Sequence, residues 1–111
     1  MASPAPALPG VLAALILTAT AAAEPPAAVA SHTVVIENMQ FSPQALTVQR
    51  GDRIVWVNKD LFPHTVTADA KAFDSHSIAA NASWRYVAAK PGAYAYGCTF
   101  HPTMKGTITV K

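Results

Sequence analysis

The stretch Tyr94-Ala95-Tyr96-Gly97-Cys98-Thr99-Phe100-His101-Pro102-Thr103-Met104-Lys105-Gly106 decides how this chain is read. It holds the single cysteine, a histidine three residues later and a methionine three residues after that. A thiolate, an imidazole and a thioether on one short loop form a soft donor set, which selects copper over harder cations. Zinc sites draw instead on more thiolate, imidazole or carboxylate. The loop is one strong donor short, and His64, in Phe62-Pro63-His64-Thr65-Val66, is the candidate that completes it. A helix does not account for the spacing. Pro102 biases His101 away from the helical region, and side chains at i, i+3 and i+6 drift around a helix rather than converge. The competing reading makes Cys98 and Met104 core residues and His101 a satisfied histidine. It serves for Cys98 or Met104 taken singly, but leaves the joint run and the upstream Pro-His unexplained.

On both sides of the loop the pattern is that of strands. Ala93-Tyr94-Ala95-Tyr96 and Gly106-Thr107-Ile108-Thr109-Val110 flank it directly. Upstream, Thr33-Val34-Val35-Ile36-Glu37, Ala45-Leu46-Thr47-Val48-Gln49, Arg53-Ile54-Val55-Trp56-Val57-Asn58, His64-Thr65-Val66-Thr67-Ala68 and Trp84-Arg85-Tyr86-Val87 are β-branched or alternating runs bounded by turn formers. Residues 69–81 are the least regular, and a short helical turn fits there. Phe41, Leu46, Val48, Ile54 and Trp56 are expected in the core, with Gly51-Asp52 as a hairpin turn and Lys90-Pro91-Gly92 as another turn. Short strands at regular spacing, without an amphipathic helix or an internal repeat, indicate an all-β sandwich.

The run from Tyr94 to Gly106 resembles the C-terminal copper loop of the cupredoxins, and its short spacing is most similar to that of the amicyanins, with plastocyanins and pseudoazurins as longer-looped relatives. Phe41-x-Pro43-x-x-Leu46-x-Val48-x-x-Gly51-Asp52 and Trp56-x-Asn58 resemble the N-terminal half of the same family. The resemblance implies a Greek-key β-sandwich of seven to eight strands. It also implies one type 1 copper ion, with His64, Cys98 and His101 as a roughly trigonal plane and Met104 as a long axial contact. Two positions depart from the family pattern. Thr65 stands where many relatives carry an asparagine that ties the ligand loops together, and Phe100 stands where amicyanin-like loops carry proline. Both bear on the reduction potential and on the acid behaviour of His101.

The chain has 111 residues, enough for one domain. Its N-terminus carries the apolar run Val11-Leu12-Ala13-Ala14-Leu15-Ile16-Leu17 and then small residues ending in Ala21-Ala22-Ala23, which reads as a secretory signal at 1–23 cleaved before Glu24. An uncleaved anchor is the minority alternative. Residues 24–31 read as a flexible lead-in and 32–111 as the copper domain. Export to the periplasm suits a lone cysteine held by a metal, since a free thiol is a liability in an oxidising compartment. All eight Lys/Arg and six Asp/Glu lie after Ala23, giving a net charge of +2 with no basic cluster of the kind that binds nucleic acid. Lys59, Lys71 and Lys105 lie near the expected metal loops. His32 is expected to be exposed at the start of the first strand, and His76 to face solvent. Asn81-Ala82-Ser83 matches the glycosylation acceptor pattern, a weak three-residue signal.

These features imply a monomeric electron carrier that passes single electrons through the edge of His101 between redox partners. A c-type cytochrome and a periplasmic dehydrogenase are the partners the resemblance suggests. Copper delivery or storage on the same scaffold is the alternative. An oxidase or nitrite reductase would need further copper centres, and only His32 and His76 remain to supply histidines.

Overall fold

The computed structural model describes residues 2–7, 10, 13–17 and 28–111. Part of the apolar run and the expected cleavage point at 23–24 lie outside the described residues. Leu15, Ile16 and Leu17 are exposed and outside any strand or helix. Among the described residues no helix is long and apolar enough to cross a membrane.

Among the described residues eight strands follow in order: β1 (Ser31–Glu37), β2 (Gln40–Ser42), β3 (Ala45–Val48), β4 (Arg53–Asn58), β5 (Thr67–Ala68), β6 (Ser83–Val87), β7 (Gly92–Gly97) and β8 (Lys105–Val110). They form two four-stranded sheets, ordered β2-β1-β4-β6 and β3-β8-β7-β5. The fold is the expected all-β sandwich. Period-2 alternation builds it: β4 buries Ile54, Trp56 and Asn58, and β8 buries Gly106, Ile108 and Val110, while their alternate residues stay more accessible. Trp56, Tyr96, Ile36, Ile54 and Ile108 are almost completely enclosed between the sheets. Of the expected core, Phe41, Val48, Ile54 and Trp56 are buried, whereas Leu46 is only half-buried and packs against the cluster from its margin.

Several sequence expectations change. Gly51-Asp52 is not a hairpin turn, because β3 pairs in parallel with β8 and β4 pairs in parallel with β1. The turn instead carries the chain from one sheet to the other, with Gly51 at a φ of 94° that suits glycine. The turn formers after Glu37 contain a short strand of their own, β2, joined to β1 through Asn38 and Met39. Both residues have positive φ, 53° and 61°, the geometry of a two-residue hairpin loop. Of the expected strand at 64–68 only Thr67–Ala68 is regular. Residues 69–81 form no helical turn. Phe73, Ser75 and Ile78 bond instead to the backbone of Ala68, Val66 and His64, so the segment runs beside the 64–68 stretch as an irregular ladder. His32 is half-buried, not exposed, because its Nε2 lies 2.9 Å from the carboxylate of Asp52. His76 faces solvent as expected, with its side chain 87% exposed.

Candidate metal centre

Two connections meet at one end of the sandwich: residues 59–66, leading from β4 to β5, and residues 98–104, joining β7 to β8. The second is a hairpin loop that closes on itself. The Cys98 N–H donates to the Met104 carbonyl at 3.2 Å and the Met104 N–H donates to the His101 carbonyl at 2.9 Å. Gly97 and Gly106 flank it because nothing larger fits. A Cβ on Gly97 would stand 2.8 Å from the Met104 carbonyl oxygen, and one on Gly106 would stand 2.5 Å from the ring of Tyr96.

The loop brings three strong donors together. His64 and Cys98 are buried and His101 is half-buried, and one donor atom from each lies within 4.8 Å of the other two. Cys98 Sγ is 3.7 Å from His64 Nδ1 and 3.8 Å from His101 Nδ1. These are long for hydrogen bonds and suit ligands of one ion. Bonds of about 2.3 Å to sulfur and about 2.0 Å to nitrogen, at an angle near 120°, place the two donors about 3.7 Å apart. Met104 is also buried, with its backbone anchored to both Cys98 and His101. Zinc fits this set less well, since its structural sites are tetrahedral and draw their fourth donor from thiolate, imidazole or carboxylate. A thioether beside two imidazoles and a thiolate fits copper.

The surroundings fix the donors. His64 Nε2 lies 2.7 Å from Asp60 Oδ2. An ionised carboxylate only accepts, so the imidazole proton sits on Nε2 and Nδ1 is left bare toward Cys98. Burial works to raise the Asp60 carboxyl, but its bonds from His64 and from the Met39 and Asn38 N–H groups outweigh this and hold it below the usual carboxylate range. Cys98 Sγ accepts the Thr65 N–H at 3.3 Å. The Thr65 hydroxyl accepts the Thr99 N–H at 2.9 Å, so it ties the two loops together. Phe62 packs edge-on to His64 and against His101, with ring centroids 5.3 and 5.7 Å away. Phe62, Pro63, Phe100 and Pro102 are exposed around the half-buried His101, and Leu61 is 91% exposed beside them.

The sequence singles out the three donors that the structure brings together, with Met104 in the same loop, but not their support. Asp60 carried a usable signal, a carboxylate four residues before a candidate ligand histidine. Thr99 carried none, since its partner Thr65 lies 34 residues away.

Comparisons with known proteins agree with this geometry. The cupredoxin-like domain model matches residues 10–110. Amicyanin of Paracoccus versutus is 30% identical over 81 residues, 68% of this chain and 61% of that protein. Plastocyanin of Scenedesmus fuscus is 36% identical over 85 residues, 64% of this chain and 86% of the relative. Among solved structures, the Cu(I) form of an amicyanin variant superposes with a TM-score of 0.68 at 26% identity, over 73% of this chain and 82% of that one. A copper-containing nitrite reductase from Thermus scotoductus superposes at 0.69 and 29% identity over 73% of this chain, but only 22% of the reductase is involved. The chain belongs to the cupredoxin-like family. Within it, the relatives it matches are amicyanins and plastocyanins.

Proposed function

We propose that this protein is a type 1 copper electron carrier, with His64, Cys98 and His101 as the equatorial ligands and Met104 as the weak axial one. The observation that carries the reading is the pair of spacings from Cys98 Sγ to two imidazole Nδ1 atoms, 3.7 and 3.8 Å, with Met104 buried in the same loop. When bound, copper supplies the one-electron couple. The chain's part is to hold the donors still. Asp60 fixes the tautomer of His64, and the Thr65 N–H on Cys98 Sγ offsets negative charge on the sulfur. Two sheets on either side of Trp56 and Tyr96 resist displacement of the loops, so little rearrangement accompanies the change of oxidation state. His101 is the one strong donor with an accessible edge, and the exposed Phe62, Phe100 and Pro102 around it suit brief apolar docking of a redox partner.

The partners in this reading are a c-type cytochrome and a dehydrogenase of the same compartment, with the protein acting as a monomer and carrying out no substrate turnover of its own. Residues 1–23 serve as an export signal to the periplasm, 24–31 as a lead-in and 32–111 as the copper domain. Copper delivery on the same ligands is the competing role. The two separate in one experiment, which mixes the reduced, copper-loaded protein with an oxidised c-type cytochrome and, in parallel, with a Cu(I) chelator. A carrier reduces the cytochrome within the mixing time and keeps its copper. Fast loss of Cu(I) with slow cytochrome reduction would overturn the proposal in favour of delivery.

A further inference from the structure

The chain has two tryptophans, and the fold sets them face to face. Trp84 stands half-buried on β6, an edge strand of its sheet. It lies directly opposite Trp56 on β4, with ring centroids 5.5 Å apart. Trp56 is fully enclosed and meets Tyr96 edge-on at 5.7 Å, its indole N–H donating to the phenol oxygen at 3.2 Å. Tyr96 lies two residues before Cys98, and both belong to the one buried cluster. On the outer side Tyr86 stacks on Trp84, with centroids 5.8 Å and planes 15° apart. An unbroken row of rings therefore runs from the edge of one sheet, across the interior, to the strand that leads into Cys98. Packing alone asks only for apolar bulk, which leucine or phenylalanine supplies without an N–H that needs a partner. Indoles, unlike phenylalanine, also give up one electron to a strong oxidant. The Trp56 N–H ends on a phenol that carries a proton of its own and is a poor base. Trp56 can thus lose and regain an electron while its proton stays in place.

We propose that Trp84 and Trp56 form a second electron route, separate from the His101 edge, through which inorganic radical oxidants arriving at the β6 edge are reduced at the expense of the metal centre. This rests on the copper reading for its final electron donor, but the two indoles need no metal to act. The electrons balance in three one-electron steps. The radical takes one electron from the Trp84 indole, Trp56 refills Trp84, and the reduced centre at Cys98 refills Trp56 by way of the Tyr96 ring. The radical gains one electron, the centre loses one, both indoles are restored, and no bond or proton moves. The outlet spares the core, since a hole left on Trp84 would otherwise remain there and react irreversibly. Phe73 touches the same rings, with centroids 6.1 Å from Trp56 and 6.2 Å from Trp84, but a phenyl ring is too hard to oxidise to serve as a step. Tyr96 serves as a bridge only, because oxidising a phenol releases its proton and the only bond it makes to another side chain is the one it accepts from Trp56.

The test places a photo-oxidant at the outer end of the row. Arg85 is exposed on β6 between Trp84 and Tyr86, so Arg85→Cys carries a ruthenium tris-bipyridyl label there, and a flash with a sacrificial acceptor turns the label into a one-electron oxidant. The first readout is made without metal, in Cys98→Ser, where the label has a single cysteine to attach to. The expected result is a transient indole radical after the flash, lost when Trp84→Phe and Trp56→Phe are combined. The second readout is the rise of the oxidised copper band in the Cu(I)-loaded Arg85→Cys protein. Trp84→Phe and Trp56→Phe should each slow that rise by at least about tenfold, equivalent to about 1.4 kcal/mol of added barrier. Tyr96→Phe and Phe73→Leu should leave it close to the parent rate. Absence of the indole radical in the metal-free protein overturns the proposal. So does a rise unchanged by Trp84→Phe, and so does equal slowing in Phe73→Leu, which would make packing and not the indoles responsible. Failure of the copper reading shows differently, as a normal indole radical in Cys98→Ser with no copper band to follow.

Discussion

Replacing Asp60 by alanine tests the support of the metal centre more sharply than replacing a ligand. Asp60 accepts three bonds: from His64 Nε2 at 2.7 Å, from the Asn38 N–H at 2.8 Å and from the Met39 N–H at 3.1 Å. The three losses are unequal. Asn38 and Met39 lie near the surface, so water can replace the carboxylate there and each bond is worth about 0.5 kcal/mol. His64 is 0% exposed, so its Nε2 proton is left without a partner, at a cost of roughly 1–3 kcal/mol. The sum is about 2–4 kcal/mol, which urea unfolding of the copper-free protein resolves directly. Asp60→Asn keeps one acceptor oxygen and should cost about half as much, on the same scale. In the loaded protein the same change unpins the His64 tautomer and should weaken metal binding by roughly 10–100-fold. A loss below about 0.5 kcal/mol in Asp60→Ala, with unaltered affinity, would show that His64 is held by the ladder to Ile78 alone and would refute the reasoning.

Tyr96→Phe removes the acceptor of the Trp56 indole N–H, a 3.2 Å bond between two fully buried rings, and should cost about 1–3 kcal/mol in urea unfolding. Combining it with Trp56→Phe should cost less than the sum of the two single losses, since both changes remove the same bond. Gly106→Ala drives a Cβ to 2.5 Å from the immobile Tyr96 ring, and overpacking of this kind should lower stability by about 1–3 kcal/mol in the same assay. Asp52 gives the pH dependence. Its bonds from His32 and from the Gln49 N–H hold its carboxyl below the usual range, against a smaller opposing effect of burial. A group depressed in the folded state stabilises above its unfolded value, near about 3.9, and loses that contribution as pH falls through the folded value. Unfolding free energies measured from neutral pH downward should therefore drop more steeply below about pH 4 in the parent than in Asp52→Asn.

The candidate ligands are legible because three of them are local. Cys98, His101 and Met104 are close enough in the chain that their residue types and spacing carry the chemistry, and His64 stands out beside Pro63 at a turn-to-strand junction. The strands β4, β7 and β8 were legible from alternation, which reports burial. Alternation does not report partners, and that is where the reading failed. Gly51-Asp52 looks like a hairpin turn until Ala45 is seen opposite Thr107 and Arg53 opposite Ser31. Leu46 has the residue type of the core but a place at its margin. Residues 69–81 looked free to turn helically because nothing in their sequence shows that His64 and Val66 need their carbonyls and amides. The pairing of His32 with Asp52, 20 residues away, was hidden for the same reason. Thr65 is the most instructive case, for its departure from the family pattern is visible in the sequence and its bond from the Thr99 N–H is not.

The proposed copper centre requires three donors and a thioether to meet at one ion. The most direct measurement is the visible spectrum on addition of one equivalent of Cu(II) to the metal-free protein, with Cys98→Ser beside it. An intense blue thiolate-to-copper band that saturates at one ion per chain, and is absent from Cys98→Ser, is the predicted result. A colourless protein that nonetheless retains its equivalent of Cu(II), or one that prefers zinc in competition, would contradict it.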